Sequence, residues 1–286
     1  MSDLLRRQLP ETNSSIKLCI VIGDPISHSR SPSLHNAAYA ACGLSQRFLY
    51  AACHIRAADL KEAIGSVREL GIRGVSVTIP HKQAVLALLD EIDPLAAKVG
   101  AVNTIVNNDG KLRGYNTDLA GIILPLEAQT SLSGKRVALL GAGGAARAAA
   151  FAVTTKGASL TIFNRTIDEA QSLAAEVKAT AADLSDLAQL SGFDIILQST
   201  PVGMSPDVER SLIPEQYLHA GQIVFDFVYN PPETKLLRQA KQRGAVVISG
   251  IEMFLQQGAA QFELYTGQKA PLEAMRQALM INSSPP

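Results

Sequence analysis

The stretch from Val137 to Ala148 constrains the fold of this chain more than any other part of the sequence. An apolar run stops at Gly141 and restarts as an Ala-rich segment, which predicts a strand, a tight turn and the start of a helix. Gly141 permits the turn, Gly143 lets the backbone approach a pyrophosphate, and Ala146 stands where helix and strand must pack closely. Unpaired N–H groups at such a helix start bind anions. The predicted dinucleotide site comprises Gly141, Ala142, Gly143, Gly144 and Ala145.

A second strand and the loop behind it indicate which dinucleotide would bind. Ser159–Phe163 predicts the strand. It is followed by Asn164, Arg165 and Thr166, where such folds contact the adenosine ribose. An acidic residue would bind the free 2′-hydroxyl of NAD, whereas a guanidinium and a hydroxyl bind a 2′-phosphate. The loop therefore favours NADP, and Asp168 keeps NAD open as the alternative.

Length and composition limit the classes of protein that fit. The 286 residues predict two domains, and 47% hydrophobic residues are enough for their cores. The formal net charge is zero and no basic patch is apparent, so nucleic acid is not an expected partner. A loose polar arm up to about residue 15 lacks the apolar core of a signal peptide, and no run approaches the ~18 apolar residues of a membrane helix. We therefore expect a cytoplasmic enzyme.

The cysteines and histidines do not form a metal site in the sequence. The five histidines are scattered, and the cysteines lie in apolar surroundings without C-x-x-C spacing. This favours buried, reduced thiols over a disulfide or metal framework. The cysteines are Cys19, Cys42 and Cys53.

Strands and helices alternate along most of the chain. In the N-terminal half, apolar patterns predict strands at 17–22, 48–53 and 74–79, a helix over about 57–70 and a hairpin turn centred on 108–110. In the C-terminal half they predict strands at 193–197, 222–226 and 246–248, and helices over 234–243, 251–265 and about 272–280. The turn from Gln198 to Met204 is suited to pass beneath a nicotinamide ring.

Polar side chains follow the N-terminal strands. Ser29 and Ser31 precede a predicted helix with Pro32 as its first residue, and two hydroxyls at a helix start suit a carboxylate. Ser31 acting only as the helix N-cap is the alternative. Lys82 follows the third strand, at the edge where parallel sheets bind ligands, although a lone Lys there is usually a solvated charge. Asp118 opens a helix, where a cap or first-turn acid is its simplest role.

Longer motifs connect these local patterns to one family. The chain resembles the shikimate dehydrogenases over nearly its whole length, and several of the shared motifs are specific to that family and occur in its order. The motifs are Gly23–Asn36, Val77–Lys82, Gly100–Thr104, Gly114–Asp118, Gly141–Arg147, Asn164–Thr166, Val228–Pro231 and Met253–Gln257.

The resemblance implies an α/β fold in which an N-terminal α/β substrate domain joins a Rossmann-type, doubly wound dinucleotide-binding domain across a deep cleft. The substrate domain would comprise residues 1–118, completed by C-terminal helices within 251–286, and the NADP-binding domain residues 119–250. The implied activity is the NADP-dependent, reversible reduction of 3-dehydroshikimate to shikimate, in the biosynthesis of chorismate and the aromatic amino acids.

The resemblance also implies roles for individual residues. Lys82 and Asp118 match the family's catalytic pair, in which the Lys exchanges a proton with the C3 oxygen of the substrate. Asp118 would orient Lys82 and bond a neighbouring ring hydroxyl. The other substrate contacts would be Ser29 and Ser31 to the carboxylate, and Thr78, Asn103, Tyr229 and Gln257 to ring oxygens. The cofactor contacts would be Gly141, Ala142, Gly143, Gly144, Ala145, Asn164, Arg165, Thr166, Thr200, Met204, Val228 and Gly250.

Three positions depart from the family pattern. Ser76 stands where many members have Asn, Gln198 replaces an Asn before the nicotinamide turn, and Glu169 stands where a second basic residue can assist phosphate binding. Ser76 and Asp168 support the alternative of a quinate/shikimate dehydrogenase that uses NAD. A second alternative is a non-catalytic sensor of shikimate-like ligands, which the presence of both Lys82 and Asp118 disfavours. A folate-type dehydrogenase gives the Ser-rich turn no clear role, and the sequence leaves open whether the protein is a homodimer.

Overall fold

The computed structural model describes residues 16–281, with side chains described through Met280. The polar arm predicted up to about residue 15 therefore lies outside the described residues. The chain divides into two compact units. The first comprises the described residues up to Thr117 together with those from Gln257 onward, and the second comprises Asp118–Gln256.

Strands and helices alternate through both units. The strands are β1 (Lys17–Gly23), β2 (Phe48–His54), β3 (Gly74–Val77), β4 (Glu91–Ile92), β5 (Thr104–Asn108), β6 (Lys111–Tyr115), β7 (Arg136–Leu140), β8 (Ser159–Asn164), β9 (Thr180–Asp183), β10 (Ile195–Gln198), β11 (Ile223–Asp226) and β12 (Val246–Ile248). The α-helices are α1 (Ser31–Ala41), α2 (Leu60–Glu69), α3 (Pro94–Val99), α4 (Asp118–Glu127), α5 (Gly144–Thr155), α6 (Ile167–Val177), α7 (Lys235–Gln242), α8 (Gly250–Thr266) and α9 (Leu272–Ile281).

The sheet of the first unit is mixed, in the order β2-β1-β3-β5-β6-β4. β1 pairs in parallel with β2 and β3, whereas β5 pairs antiparallel with β3 and β6. β5 and β6 form the predicted hairpin, and its turn places Asp109 and Gly110 at positive φ, as the Asn-Asp-Gly sequence favours. Because β1 and β3 are parallel, the segments that follow them leave the same edge of the sheet.

The two faces of this sheet are covered differently. Alternate residues of a strand point to opposite faces. Val75 enters an aliphatic core with residues of β1, β5 and α2, while Ser76 enters the other face. That face holds what we call the buried polar layer, whose members are all less than 5% exposed: His35, Tyr50, Ser76, Gln261 and Tyr265.

Helix α8 closes this polar face from the C-terminal end of the chain. Gly74 packs so closely against the Tyr265 ring that a Cβ there would overlap it. The guanidinium of Arg73 donates to the carbonyl of Tyr265 at 3.0 Å and to that of Asn107 at 2.9 Å. Residues from both ends of the sequence thus build one unit.

The second unit contains a wholly parallel sheet in the order β12-β11-β10-β7-β8-β9. This is the doubly wound order, with its topological switch point between β7 and β10, so the predicted Rossmann-type unit is confirmed. Its core is rich in aliphatic and Ala side chains with Phe163 and Phe225 among them, and α5 contributes Ala146, Ala149, Ala150 and Val153 with no exposed surface. Strand β9 is an element for which the sequence pattern made no prediction.

Two further observations concern the helices and the cysteines. Between residues 16 and 281, no helix combines the length and apolar character needed to cross a bilayer. The cysteines are free of disulfides, and burial raises the pKa of both Cys19 and Cys53 to about 12.

Candidate active site

The turn after β1 carries the two predicted carboxylate-binding hydroxyls. Ser31 is the first residue of α1 and is 6% exposed, and its N–H donates to the Ser29 hydroxyl oxygen at 3.3 Å. The helix N-cap is Arg30, without a side-chain cap hydrogen bond, and Pro32 is the second helical residue. The alternative in which Ser31 serves as the N-cap is therefore wrong, as is the placement of Pro32 at the first position.

The segment from Thr78 to Lys82 leaves the sheet edge beside this turn. β3 ends at Val77, two residues earlier than predicted, and the Thr78 N–H donates to the carbonyl of Ile22 at 3.0 Å. The buried His81 ring hydrogen-bonds the carbonyl of Ile55 at 2.6 Å, and the Lys82 carbonyl accepts from Val102 at 2.8 Å. The backbone that carries the half-buried Lys82 side chain is thus held on both sides.

Asn103 lies at the same edge, next to β3. Its carbonyl accepts from the Val77 N–H at 2.7 Å, and its side-chain oxygen accepts from the Thr117 N–H at 2.8 Å. The first unit therefore brings together the predicted substrate contacts Thr78 and Asn103 with Lys82. Asp118, 4% exposed, is the first residue of α4 and of the second unit, where it is the expected first-turn acid. Gln257 is 9% exposed where α8 enters the first unit.

In the second unit, the Gly-rich turn has the geometry that the motif predicts. Gly141 has φ +107°, and a Cβ there would lie 2.7 Å from the Ser199 hydroxyl oxygen. Gly143 is the N-cap of α5, so no side chain caps the first N–H groups of this helix. A Cβ at Gly143 would meet nothing within 4 Å, which leaves open space there. The N-terminal N–H groups of α5 and the space at Gly143 together suit a phosphate.

The loop after β8 is more acidic in its contacts than the motif alone indicates. The Asn164 side-chain amide donates to the Glu169 carboxylate at 2.8 Å and to the Thr166 carbonyl at 3.0 Å. Arg165 is exposed. An open depression here is lined by Ala142, Arg147, Asp168, Glu169, Ser172 and Leu173. Residues of the Gly-rich turn and of α6 thus line one depression, and the side chains of Asp168 and Glu169 are part of its lining.

The proposed nicotinamide turn is organised by Gln198, the last residue of β10. Its side-chain nitrogen donates to the carbonyls of Thr200 and Val202 at 3.0 and 3.1 Å, and its oxygen accepts from the Thr200 N–H at 2.6 Å. Gln198 is 1% exposed, whereas Met204 is 46% exposed. Gln198, which replaces the Asn of the family pattern, therefore holds the backbone of the turn through its buried side chain, whereas Met204 exposes an apolar side chain.

Asp226, the last residue of β11, is a buried carboxylate near the candidate cofactor contact Val228. Its carboxylate accepts from the Thr234 hydroxyl at 2.6 Å and from the Val228 N–H at 3.1 Å. Burial raises its pKa to about 6, against the lowering effect of those two hydrogen bonds. In the sequence, the position of Asp226 directly after the apolar run 223–225 is the feature that marks a carboxylate at a strand end.

Val228 and Gly250 meet in the second unit. A Cβ at Gly250 would overlap the Val228 carbonyl oxygen, so the chain passes closely there. Tyr229, the next residue, stacks on Phe254 of α8 with ring centroids 4.8 Å apart. Among the residues that the structure describes, no group of three or more His, Cys, Asp or Glu side chains could hold a metal ion.

This fold defines a class: an α/β protein in which a Rossmann-type unit, of the kind that binds dinucleotides, is joined in sequence to a unit with a polar site. Family models identify the class more closely. Residues 21–105 match the shikimate dehydrogenase substrate binding domain, residues 124–223 match shikimate/quinate 5-dehydrogenase, and residues 250–280 match the shikimate 5′-dehydrogenase C-terminal domain.

Individual relatives agree. A shikimate dehydrogenase (NADP(+)) from Moorella thermoacetica is 45% identical over 280 residues, which cover 94% of each chain. The crystal structure of a shikimate 5-dehydrogenase from Thermus thermophilus, in complex with NADP(H) and shikimate, is 35% identical with a TM-score of 0.86, over 93% of this chain and 99% of that one. A quinate dehydrogenase from Corynebacterium glutamicum, in complex with NAD, is 31% identical with a TM-score of 0.86, over 93% and 99%.

The chain belongs to the shikimate dehydrogenase family of oxidoreductases. The resemblance predicted from the motifs is thereby confirmed, as is the fold class.

Proposed function

We propose that this protein catalyses the NADP-dependent, reversible reduction of 3-dehydroshikimate to shikimate, a step in the biosynthesis of chorismate and the aromatic amino acids. The relative with 45% identity over 94% of the chain is a shikimate dehydrogenase (NADP(+)), which supports the activity and the cofactor. The observation that carries the proposal is the convergence of Thr78, Lys82 and Asn103 at one edge of the first unit's sheet.

We assign the substrate to residues 1–118 together with 251–286, and NADP to residues 119–250. The observed geometry of the second unit fits the cofactor. The uncapped start of α5 and the open space at Gly143 suit the pyrophosphate, for which Gly141, Ala142, Gly143, Gly144 and Ala145 supply the turn. We assign the adenosine end to Asn164, Arg165 and Thr166, and the nicotinamide end to Thr200, Met204, Val228 and Gly250.

The protein's own groups then have defined tasks. NADPH, when bound, supplies the hydride that reduces the C3 ketone. The Lys82 ammonium donates a proton to the C3 oxygen as negative charge develops there, and in the reverse direction the neutral amine accepts that proton. Asp118 orients the ammonium and accepts a hydrogen bond from a neighbouring ring hydroxyl.

The remaining polar groups recognise the substrate. Ser29 and Ser31 donate hydroxyl hydrogen bonds to its carboxylate, in a turn whose backbone is already ordered by α1. The other proposed contacts, to ring oxygens, are Thr78, Asn103, Tyr229 and Gln257. Hydrogen-bonding sites of this kind discriminate strongly against analogues that lack a matching hydroxyl, because the site's own polar groups would be left unpaired.

The choice of cofactor depends on opposing charges near β8. Arg165 favours a 2′-phosphate, whereas the carboxylates of Asp168 and Glu169 in the neighbouring depression oppose it. We propose that Arg165 prevails and that NADP is preferred over NAD. A cytoplasmic location is supported by three cysteines without a disulfide, and a homodimer stays a prediction that molar mass in solution would test.

The deciding experiment is the initial rate of reduced-cofactor absorbance with the purified protein, using shikimate or quinate and NADP or NAD. We expect the pair shikimate and NADP to be fastest by at least about tenfold. Comparable rates with NAD or quinate would replace the proposal by a quinate/shikimate dehydrogenase. Binding of shikimate and NADP without turnover in any pairing would indicate a sensor instead.

A further inference from the structure

A chain of hydrogen bonds runs through the buried polar layer and ends at Asn103. The Tyr50 hydroxyl donates to the Ser76 hydroxyl oxygen at 2.5 Å, and Ser76 donates to the side-chain oxygen of Gln261 at 2.8 Å. The Gln261 side-chain nitrogen donates to the Thr104 hydroxyl oxygen at 3.0 Å. The Thr104 hydroxyl in turn donates to the side-chain oxygen of Asn103 at 2.8 Å.

The direction of this chain is determined by its members. A backbone N–H can only donate, so the Thr117 N–H, 2.8 Å away, requires the Asn103 oxygen at that position. The Asn103 nitrogen then points to the Thr117 hydroxyl oxygen, to which it donates at 3.0 Å. Because Gln261 donates to Thr104, the Thr104 proton is left for another acceptor, and the Asn103 side-chain oxygen at 2.8 Å lies closer to it than the Thr117 hydroxyl oxygen at 3.2 Å. Successive hydrogen bonds of one direction strengthen one another in a buried site.

Gln261 is the link that crosses from α8 to the sheet. It is 2% exposed, and 185 residues separate it from Ser76. Its side-chain oxygen and nitrogen are not interchangeable, because one accepts from Ser76 and the other donates to Thr104 and, at 3.3 Å, to the Asn103 carbonyl. Gln261 therefore contacts the backbone carbonyl of Asn103 directly, and the side chain of Asn103 indirectly through Thr104.

We propose that Gln261 is a positioning residue for the substrate site: through Thr104, and together with the Thr117 N–H, it holds the Asn103 amide in the orientation that binds a ring oxygen. The role rests on the proposed function, since it takes Asn103 as a substrate contact. It also gives Ser76 a task, because a hydroxyl at that position orients the Gln261 amide from within the core. A purely structural role would instead stabilise the fold without acting on substrate affinity.

The test is Gln261→Met, which keeps the length of the side chain and removes its donor and acceptor. We expect the KM for shikimate to rise about tenfold, with kcat and the KM for NADP changed less than about twofold, because only one substrate contact is loosened. Val75→Ala is the matched control. It removes buried volume from the neighbouring residue of β3 on the opposite face, so it lowers stability and leaves both KM values unchanged.

A second variant and a second readout complete the test. Thr104→Val removes the hydroxyl that donates to the Asn103 side chain, and it should raise the KM for shikimate as much as Gln261→Met, with no further rise in the double variant. Hydrogen exchange of the Asn103 side-chain amide, followed by NMR, should accelerate about tenfold in both variants, which does not depend on turnover.

The outcomes separate the two proposals. An unchanged KM and unchanged Asn103 exchange in Gln261→Met, with a stability loss like that of Val75→Ala, would overturn the positioning role. A wild-type protein without turnover of shikimate would overturn the proposed function, and the exchange measurement would still decide whether Gln261 orients Asn103.

Discussion

The two units bury polar groups in different ways. In the first unit, a layer of hydrogen-bonded side chains lies inside the fold, and burial lowers the pKa of His35 to about 3. In the second unit the core is built of aliphatic, Ala and Phe side chains, and among its buried polar groups Gln198, Gln222 and Asp226 lie at or next to strand ends.

The difference fits what each unit is proposed to bind. A small hydroxylated acid is recognised by side chains whose directions must be fixed, which a hydrogen-bonded layer beneath them achieves. A pyrophosphate is recognised by backbone N–H groups, which need only a close-packed turn and helix. Changes at the polar site residues of the first unit should therefore act on substrate and turnover, and changes at the Gly-rich turn and the β8 loop of the second unit should act on the cofactor.

Replacing Lys82 tests the first half of this comparison with the largest effect. In Lys82→Ala no ammonium protonates the C3 oxygen, so kcat should fall by a factor between a hundred and about ten thousand, with the KM for NADP little changed. Steady-state kinetics with shikimate and NADP measure both. Lys61→Ala, an exposed lysine of α2, is the control and should behave as wild type. Unaltered turnover in Lys82→Ala would remove this residue from the chemistry.

Acid should weaken the first unit through His35. Its folded pKa of about 3 lies below the ordinary 6.5, so the stability it contributes is present above pH 6.5 and is lost as the pH falls toward 3. His35→Phe keeps a ring for the stack on Tyr50, at 4.2 Å between centroids, and cannot be protonated. Between pH 7 and pH 4 the variant should gain about 3 kcal/mol relative to wild type in urea unfolding. Parallel pH curves for both proteins would contradict this.

Acid should act on the second unit in the opposite direction through Asp226. Its folded pKa of about 6 lies above the ordinary 3.8, so its protonated form adds stability that is complete below pH 3.8 and lost as the pH rises through 6. Relative to Asp226→Asn, the wild type should gain about 2 kcal/mol on going from pH 7 to pH 4, measured by the same urea series. If the difference in the free energy of unfolding between the two proteins did not change with pH, the raised pKa of Asp226 would be refuted.

Replacing Arg165 should have the smallest effect of these substitutions, and the effect should be confined to binding of the cofactor. In Arg165→Ala the 2′-phosphate loses a charge-assisted hydrogen bond at an exposed position, so the KM for NADP should rise about tenfold while the KM for NAD stays within about twofold. Lys241→Ala, an exposed cation of α7, is the control. A rise in the shikimate KM instead would break the separation between the units.

Much of this organisation could be predicted from the sequence where the pattern is local. The turn at Gly141, the hairpin turn at Asp109 and Gly110, and the alternation of strands and helices follow from short-range rules. Strand β9 could not be predicted, because Thr-Ala-Ala-Asp has little strand preference and its pairing with β8 is supplied by the sheet. The end of β3 at Val77 likewise depends on what Thr78 meets across the sheet.

The supports of the candidate site were less predictable than the site itself. Lys82, Asn103 and the Gly-rich turn belong to recognisable motifs. Gln261 is one of several Gln residues on α8, and only the fold shows that its amide meets Ser76 and Thr104. Pairings over such sequence distances leave no local periodicity, so a single sequence cannot predict them.

The return of α8 and α9 to the first unit also sets an order of assembly during synthesis. Arg73 and Gly74 are synthesised before the second unit, whereas their partner Tyr265 is synthesised after it. The second unit, Asp118–Gln256, is continuous in sequence, so its contacts are all available before those of the unit that precedes it. The contacts between the N-terminal sheet and α8 can therefore form only after the whole second unit has been synthesised.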